Sequence, residues 1–215
     1  MNFTLGPIMT GTIHPFRGEE GSAIAKRPVS GSVRIGPLGI EGDEQADRVH
    51  HGGVDKAIHH YPLDHYPFWR EELGEHDLLR APGGFGENIS TTGLTECDLL
   101  IGDRLRLGTA LVEVSQGRQP CWKLDHRFQR KGVTARIIAT GRSGWYYRVL
   151  EPGMAQQGDR LELVERGAEN WSVERVFRLL LPGKPDRDGA EIRQLLDLPQ
   201  LADAWKVRAR KLLDG

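Results

Sequence analysis

Apolar positions over most of the chain come in short stretches cut by glycine and proline. Ser22–Val29 (SAIAKRPV) and Gly31–Ile40 (GSVRIGPLGI) are alternating or short apolar runs bounded by such turns, which predicts strands. Asp98–Ser115 (DLLIGDRLRLGTALVEVS) reads as strand, Gly-Asp turn, strand, Gly-Thr turn, strand, with Leu105 and Leu107 alternating against Arg104 and Arg106. Gly158–Gly167 (GDRLELVERG) repeats the pattern. Many short strands at this spacing predict a closed or nearly closed β-barrel. Two short helices interrupt it: Leu63–Leu73, which follows Pro62, and Val133–Gly141, stopped by glycine.

The period changes after about Ala168. Val173, Val176, Phe177, Leu180 and Leu181 fall at helical spacing behind Ser172, a residue suited to an N-cap. Asp188 and Glu191 are spaced as a capping box for a second helix. A third carries Leu201, Trp205, Arg208 and Leu212 on one face, and Pro182, Pro185 and Pro199 separate the three. The chain thus divides into a mainly β domain over 1–167 and a three-helix segment over 168–215. That segment is too small to be stable undocked. Since every candidate motif precedes it, removing everything after about Glu169 is expected to leave the barrel folded.

Composition narrows the classes. At 215 residues the chain can bury a core without disulfide staples. Its two cysteines, Cys97 and Cys121, form no framework and no C-x-x-C pair. One disulfide between them is allowed, but a reducing cytoplasm is the expected setting. The 27 glycines favour tight turns over a helical bundle. With 29 basic and 30 acidic side chains, no net field is available to grip nucleic acid. No signal peptide and no membrane-length apolar run is read.

Three stretches carry candidate chemistry. Gly42–Pro62 packs Asp43, Glu44, Asp47, His50, His51, Asp55, Lys56, His59 and His60 around a Gly52–Gly53 pair. A solvated polar loop is the plain reading; zinc is the sharper one, but no H-E-x-x-H pattern supports it. Gly83–Leu94 (GGFGENISTTGL) is a turn or a weak anion-binding loop that leads into Asn88, and it is not a P-loop. Val114–Leu124 (VSQGRQPCWKL) sets Cys121 behind Pro120, with Arg118 and Lys123 nearby. A buried hydrophobe, a thiolate favoured by nearby cations and a Cys-His hydrolase all remain open there.

In order along the chain, GDEQADRVHHGGVDKA, FGENISTTGLTECDLLIGD, VSQGRQPCWKL and SGWYYRVLEPGMAQQGDRLEL resemble the MOSC domain, named from the C-terminus of molybdenum cofactor sulfurase. The resemblance covers nearly the whole chain and is nearest to the stand-alone bacterial YiiM type, which also carries three C-terminal helices. Val54 stands where that family often has proline and Gly117 where proline or another residue often precedes the arginine, and neither change removes a chemical group. The resemblance implies a β-barrel binding a molybdopterin-type molybdenum cofactor, with Cys121 as metal ligand and catalytic residue. Lys26, Arg118, Gly52 and Gly53 are its candidate phosphate partners, and His51, Asp55 and Asn88 its candidate orienting groups.

The implied reaction is reduction of N-hydroxylated compounds, such as hydroxylamino purines, to amines. No flavin or nicotinamide motif is present, so electrons are expected from a separate redox protein, a flavoprotein reductase being the first choice. A homodimer is left open. The alternative reading is a non-catalytic cofactor carrier or sulfur-transfer accessory, which would use the same motifs.

Overall fold

The computed structural model describes residues 1–46, 52–181 and 189–214. Its strands are β1 (Asn2–Thr4), β2 (Met9–Thr10), β3 (His14–Arg17), β4 (Glu20–Ser22), β5 (Arg27–Pro28), β6 (Val33–Gly36), β7 (Gly39–Ile40) and β8 (Ile58–His60). They continue with β9 (Arg104–Leu107), β10 (Ala110–Gly117), β11 (Trp145–Glu151), β12 (Gly153–Ala155) and β13 (Arg160–Glu165). Six strands form one antiparallel sheet in the order β1-β13-β9-β10-β11-β8, curled into a half-barrel. A three-stranded sheet, β12-β6-β7, and two small ribbons, β2-β5 and β3-β4, complete the β structure.

Side-chain alternation explains the main sheet. Leu105 and Leu107 are fully buried, while Arg104 and Arg106 point outward to cross-strand carboxylates. Arg104 reaches Glu113 at 3.1 Å and Glu165 at 2.7 Å, and Arg106 reaches Glu151 at 2.7 Å. Such pairs add register preference to a face already fixed by burial. The strand expected at Asp98–Ile101 is not one. Leu99 and Ile101 are buried there, but Asp98 accepts from Thr95 N and Asp103 from Leu100 N. These aspartates fold the segment into turns, so an apolar run fills the core without pairing as a strand. Ser22–Val29 likewise pairs only at its two ends, and Gly31–Ile40 is a hairpin of β6 and β7.

The helices are α1 (Tyr66–Leu73), α2 (Lys123–Arg127), α3 (Val133–Thr140), α4 (Val173–Leu180), α5 (Ala190–Leu196) and α6 (Asp203–Leu213). α4 starts as its sequence predicts: Ser172 Oγ accepts from Arg175 N at 3.1 Å, and all five periodic positions are buried. The Asp188 cap lies outside the described residues, and Glu191 pairs with Arg175 at 2.6 Å. Leu201 is buried but precedes α6, whose buried positions are Trp205 and Ala209.

One apolar core runs through the sheet and all three C-terminal helices. Val173 N and Glu174 N donate to Leu99 O and Glu96 O, and Ala202 N donates to Ser115 O of β10. Trp205 and Phe177 pack beneath Gly117, where an added Cβ would lie 3.0 Å from the indole ring. These helices are a wall of the core rather than an appendage. No described helix is long and apolar enough to cross a membrane.

Candidate functional site

A cavity enclosing about 100 Å³ opens where β10 ends, lined by segments far apart in sequence. Gly117 closes β10, and Arg118 N then donates to Gly144 O at 2.9 Å. Pro120, with its fixed φ, turns the chain so that Cys121 stands just ahead of α2. The Cys121 carbonyl accepts from Leu124 N at 3.1 Å and from Thr134 Oγ1 at 3.0 Å, which fixes the backbone beneath the thiol. Cys121 is half-buried, Cys97 is exposed, and neither is in a disulfide.

The opposite wall is an ion-paired clasp. Lys26 Nζ binds the Asp43 carboxylate, which also accepts from Gly11 N and from Asn88 Nδ2, each at 2.8 Å. Asn88 is buried and fully used: its Oδ1 accepts from His59 N at 3.0 Å, and its amide also donates to Met9 O at 3.0 Å. Burial lowers the Lys26 pKa, with Asp43 acting in the opposite direction. The glycine-rich loop before Asn88 is shaped by Glu87, a fully buried carboxylate. Glu87 accepts from Gly83 N at 2.7 Å, Phe85 N at 2.9 Å and Tyr66 Oη at 2.5 Å. Gly86 has φ +77°, and a Cβ there would strike Ile24 at 2.6 Å, so glycine is required.

Arg118 is the third component. It is 5% exposed, and its Nη1 has no hydrogen-bond partner among the described residues. Its guanidinium neighbours the Tyr146 hydroxyl, whose pKa burial raises and Arg118 opposes. The cavity therefore joins a thiol to Lys26, Lys56, Arg118 and Lys123. Its two carboxylates, Asp43 and Glu44, are already engaged by Gly11, Asn88, Lys26 and Ile13.

Of the residues singled out from sequence, Lys26, Asn88, Arg118 and Cys121 line this one cavity. His51 lies outside the described residues. Gly52, Gly53 and Asp55 are not on the cavity wall. Gly53, at φ +93°, heads a short 3₁₀ turn over Val54–Lys56 that carries Lys56 to the wall instead. Asp55 pairs with Arg148 at 2.8 Å, and Arg148 bridges on to Glu113 at 2.9 Å. Asp43, Glu44, Lys56 and His59, named from sequence only as members of the polar Gly42–Pro62 stretch, also reach the wall, as does Tyr146, to which the sequence assigned no role. A strand parity argument could have flagged His59, since neighbouring β8 side chains must point to opposite faces.

His60 shows the other side of that parity. Its two ring nitrogens face Tyr147 Oη at 3.1 Å and Thr91 Oγ1 at 3.0 Å, so neither is spare for zinc. Burial pushes its pKa down to about 3, and burial with the nearby Arg118 charge pushes that of His59 well below the usual value. Both are neutral in the fold and protonate on unfolding below about pH 6.5. The stabilising contribution of each is complete above that pH; that of His60 is lost as pH falls toward 3, and that of His59 declines in the same direction. Between those two pH values His60 is expected to add a slope of roughly 1 kcal/mol per pH unit. Chemical denaturation of wild type and His60→Gln at pH 7, 6 and 5 checks this, and parallel curves would contradict it.

The MOSC domain description matches residues 47–162, and the YiiM-like 3-alpha helix domain matches residues 171–215. The chain belongs to the MOSC family. Protein YiiM of Escherichia coli is 44% identical to this MOSC chain over 209 residues, 97% of this chain and 92% of that protein. The crystal structure of YiiM from Geobacillus stearothermophilus superposes with a TM-score of 0.81 at 34% identity, over 97% of this chain and 99% of that one. A protein of Gibberella moniliformis named Reductase is 43% identical over 164 residues, which are 76% of this chain but 29% of that longer protein. MOSC membership fits a role connected with the molybdenum cofactor.

Proposed function

We propose that this MOSC chain reduces N-hydroxylated compounds to amines, using a molybdenum cofactor held through Cys121. The observation that carries the reading is the pairing, in one cavity, of the Cys121 thiol with a buried guanidinium whose Nη1 is unpartnered among the described residues. That donor set fits an anionic, sulfur-ligated metal group: a thiolate is a soft ligand, and Arg118 and Lys26 suit a phosphate. When bound, such a cofactor supplies a two-electron redox centre able to take up oxygen.

The residues of the chain bind and orient. Cys121 would hold the metal, and bound metal keeps a thiol deprotonated without a base. Lys26 and Arg118 would neutralise the anionic end, with Asp43 and Asn88 holding Lys26 in place. The N–O bond of R–NH–OH breaks, two electrons and two protons are taken up, and R–NH₂ and water leave. The electrons come from a separate reduced redox protein, a flavoprotein by preference. The relative named Reductase supports a reductive role.

The test is anaerobic reconstitution with molybdenum cofactor, followed by metal analysis, pterin fluorescence and an N-hydroxy substrate assay with a chemical reductant. Amine formation dependent on molybdenum is the expected result. Stoichiometric zinc without pterin would overturn the reading. Tight retention of cofactor without turnover would instead assign the chain as a carrier.

A further inference from the structure

The chain between Gly11 and Lys26 leaves the clasp wall of the cavity and returns to the same two carboxylates. Gly11 N donates to Asp43 Oδ1 at 2.8 Å, and Lys26 Nζ binds that carboxylate too. Gly11 O accepts from Glu44 N at 2.8 Å, and Ile13 N donates to Glu44 Oε2 at 2.6 Å. The outgoing and returning arms pass so closely that a Cβ on Gly11 would lie 2.3 Å from Ala23 O. On the returning arm Ser22, Ala23 and Ile24 line the cavity, with Ile24 seated against Gly86. The base of this excursion is thus tied to the body by an ion pair and backbone bonds.

Its far end is held differently. β3 and β4 pair with each other and with no other described strand. A lone two-stranded ribbon is marginal in water and keeps its place through what it docks on. Phe16 and Arg17 dock this one on the thiol side of the cavity. The Phe16 carbonyl accepts from His126 Nε2 at 2.9 Å, and its ring lies 4.7 Å from the His126 ring and 6.0 Å from that of Trp122. The Arg17 guanidinium covers the Trp122 ring at 4.3 Å. Trp122 directly follows Cys121, is 36% exposed, and stands between two residues of the cavity wall, Cys121 and Lys123. The ribbon therefore bridges the two walls beside the thiol, firmly at the Asp43 end and through surface ring contacts at the other. Local opening starts where anchoring is weakest.

We propose that the β3-β4 ribbon is a strap over the cavity: Phe16 and Arg17 latch it to Trp122 and His126, and release of that latch swings the ribbon about the Asp43 clasp to uncover the Cys121 thiol. Strap opening sets how large a molecule reaches the thiol, and closing shields it from solvent. The strap acts whatever the cavity binds, so it stands or falls apart from the reductase reading.

The experiment uses the full chain carrying Cys97→Ser, in which Cys121 is the only thiol. Its alkylation by iodoacetamide and by the much bulkier fluorescein-5-maleimide is timed with and without Phe16→Ala. Loss of the latch is expected to raise the maleimide rate about tenfold or more and the iodoacetamide rate far less. An unchanged maleimide rate would overturn the proposal, and so would equal acceleration of both reagents, which marks general loosening rather than a moving strap. A second arm needs no variant. In wild type, hydrogen exchange of the paired β3-β4 amides is expected to be faster than that of the Gly11 amide at the hinge. Ribbon amides as slow as Gly11 would show a fixed ribbon and reject the strap.

Discussion

Cys121→Ser is expected to give a folded chain whose N-hydroxy reduction has dropped about a hundredfold or more. The backbone at this position is held through the Cys121 carbonyl by Leu124 N and Thr134 Oγ1, and those bonds do not involve sulfur. Serine is nearly isosteric, so thermal melting should barely move. Its hydroxyl is a harder ligand that stays protonated, a poor match for a metal already bound by sulfur. Cys97→Ser is the internal control. That thiol is exposed and sits 3.0 Å from Thr95 Oγ1, a contact a serine hydroxyl can also make. Parallel activity and melting measurements on the two variants decide the matter, and equal losses would remove the special role assigned to Cys121.

Removing the residues after Glu169 is expected to abolish cooperative folding, the reverse of what the sequence alone leads one to expect. The deletion strips Val173, Val176, Phe177, Leu180, Leu195 and Trp205 from the shared core. Burying each such side chain is worth about 1.5–3 kcal/mol, against a whole-domain stability of about 5–15 kcal/mol. It also leaves the acceptors on Glu96, Leu99 and Ser115 without their donors. Trp205→Ala is the milder version. A buried Trp→Ala change costs about 3–5 kcal/mol, and for a chain of this size that lowers Tm by roughly 10 °C. A truncated chain that melts cooperatively near the wild-type temperature would show the β domain to be self-sufficient.

The two expectations differ for a physical reason. Period and caps are local properties, so α1, α3 and α4 and the β9-β10 hairpin are legible from their own residues. The Asp98–Ile101 segment misleads because burial alone does not specify pairing; the deciding bonds come from Asp98 and Asp103 side chains. α2 is not legible because five residues behind Pro120 give too little periodicity to register. Whether the C-terminal helices stand apart or share the core depends on Gly117 meeting Trp205, a contact no window of sequence contains.

The site follows the same division. Cys121, Arg118, Lys26 and Asn88 are legible from the chain itself, through ordered motifs and the resemblance they carry, and all four reach the cavity. The polar stretch from Gly42 onward is visible as a block, but not which of its members face inward. A single 3₁₀ turn sends Lys56 to the wall and Asp55 to Arg148.

The cavity wall draws on residues as distant as Ser22 and Tyr146, and Trp205 supports it from the far end of the chain. A nascent polypeptide thus has nothing to load while it is still being made on the ribosome. Lys26 and Asp43 can meet early, but Arg118, Cys121 and Tyr146 arrive much later, and Trp205 last of all. Contacts spread this widely along the chain also close slowly. A cofactor of the kind proposed would therefore enter a chain whose last helix is already in place, and would meet a finished receptor rather than a folding intermediate.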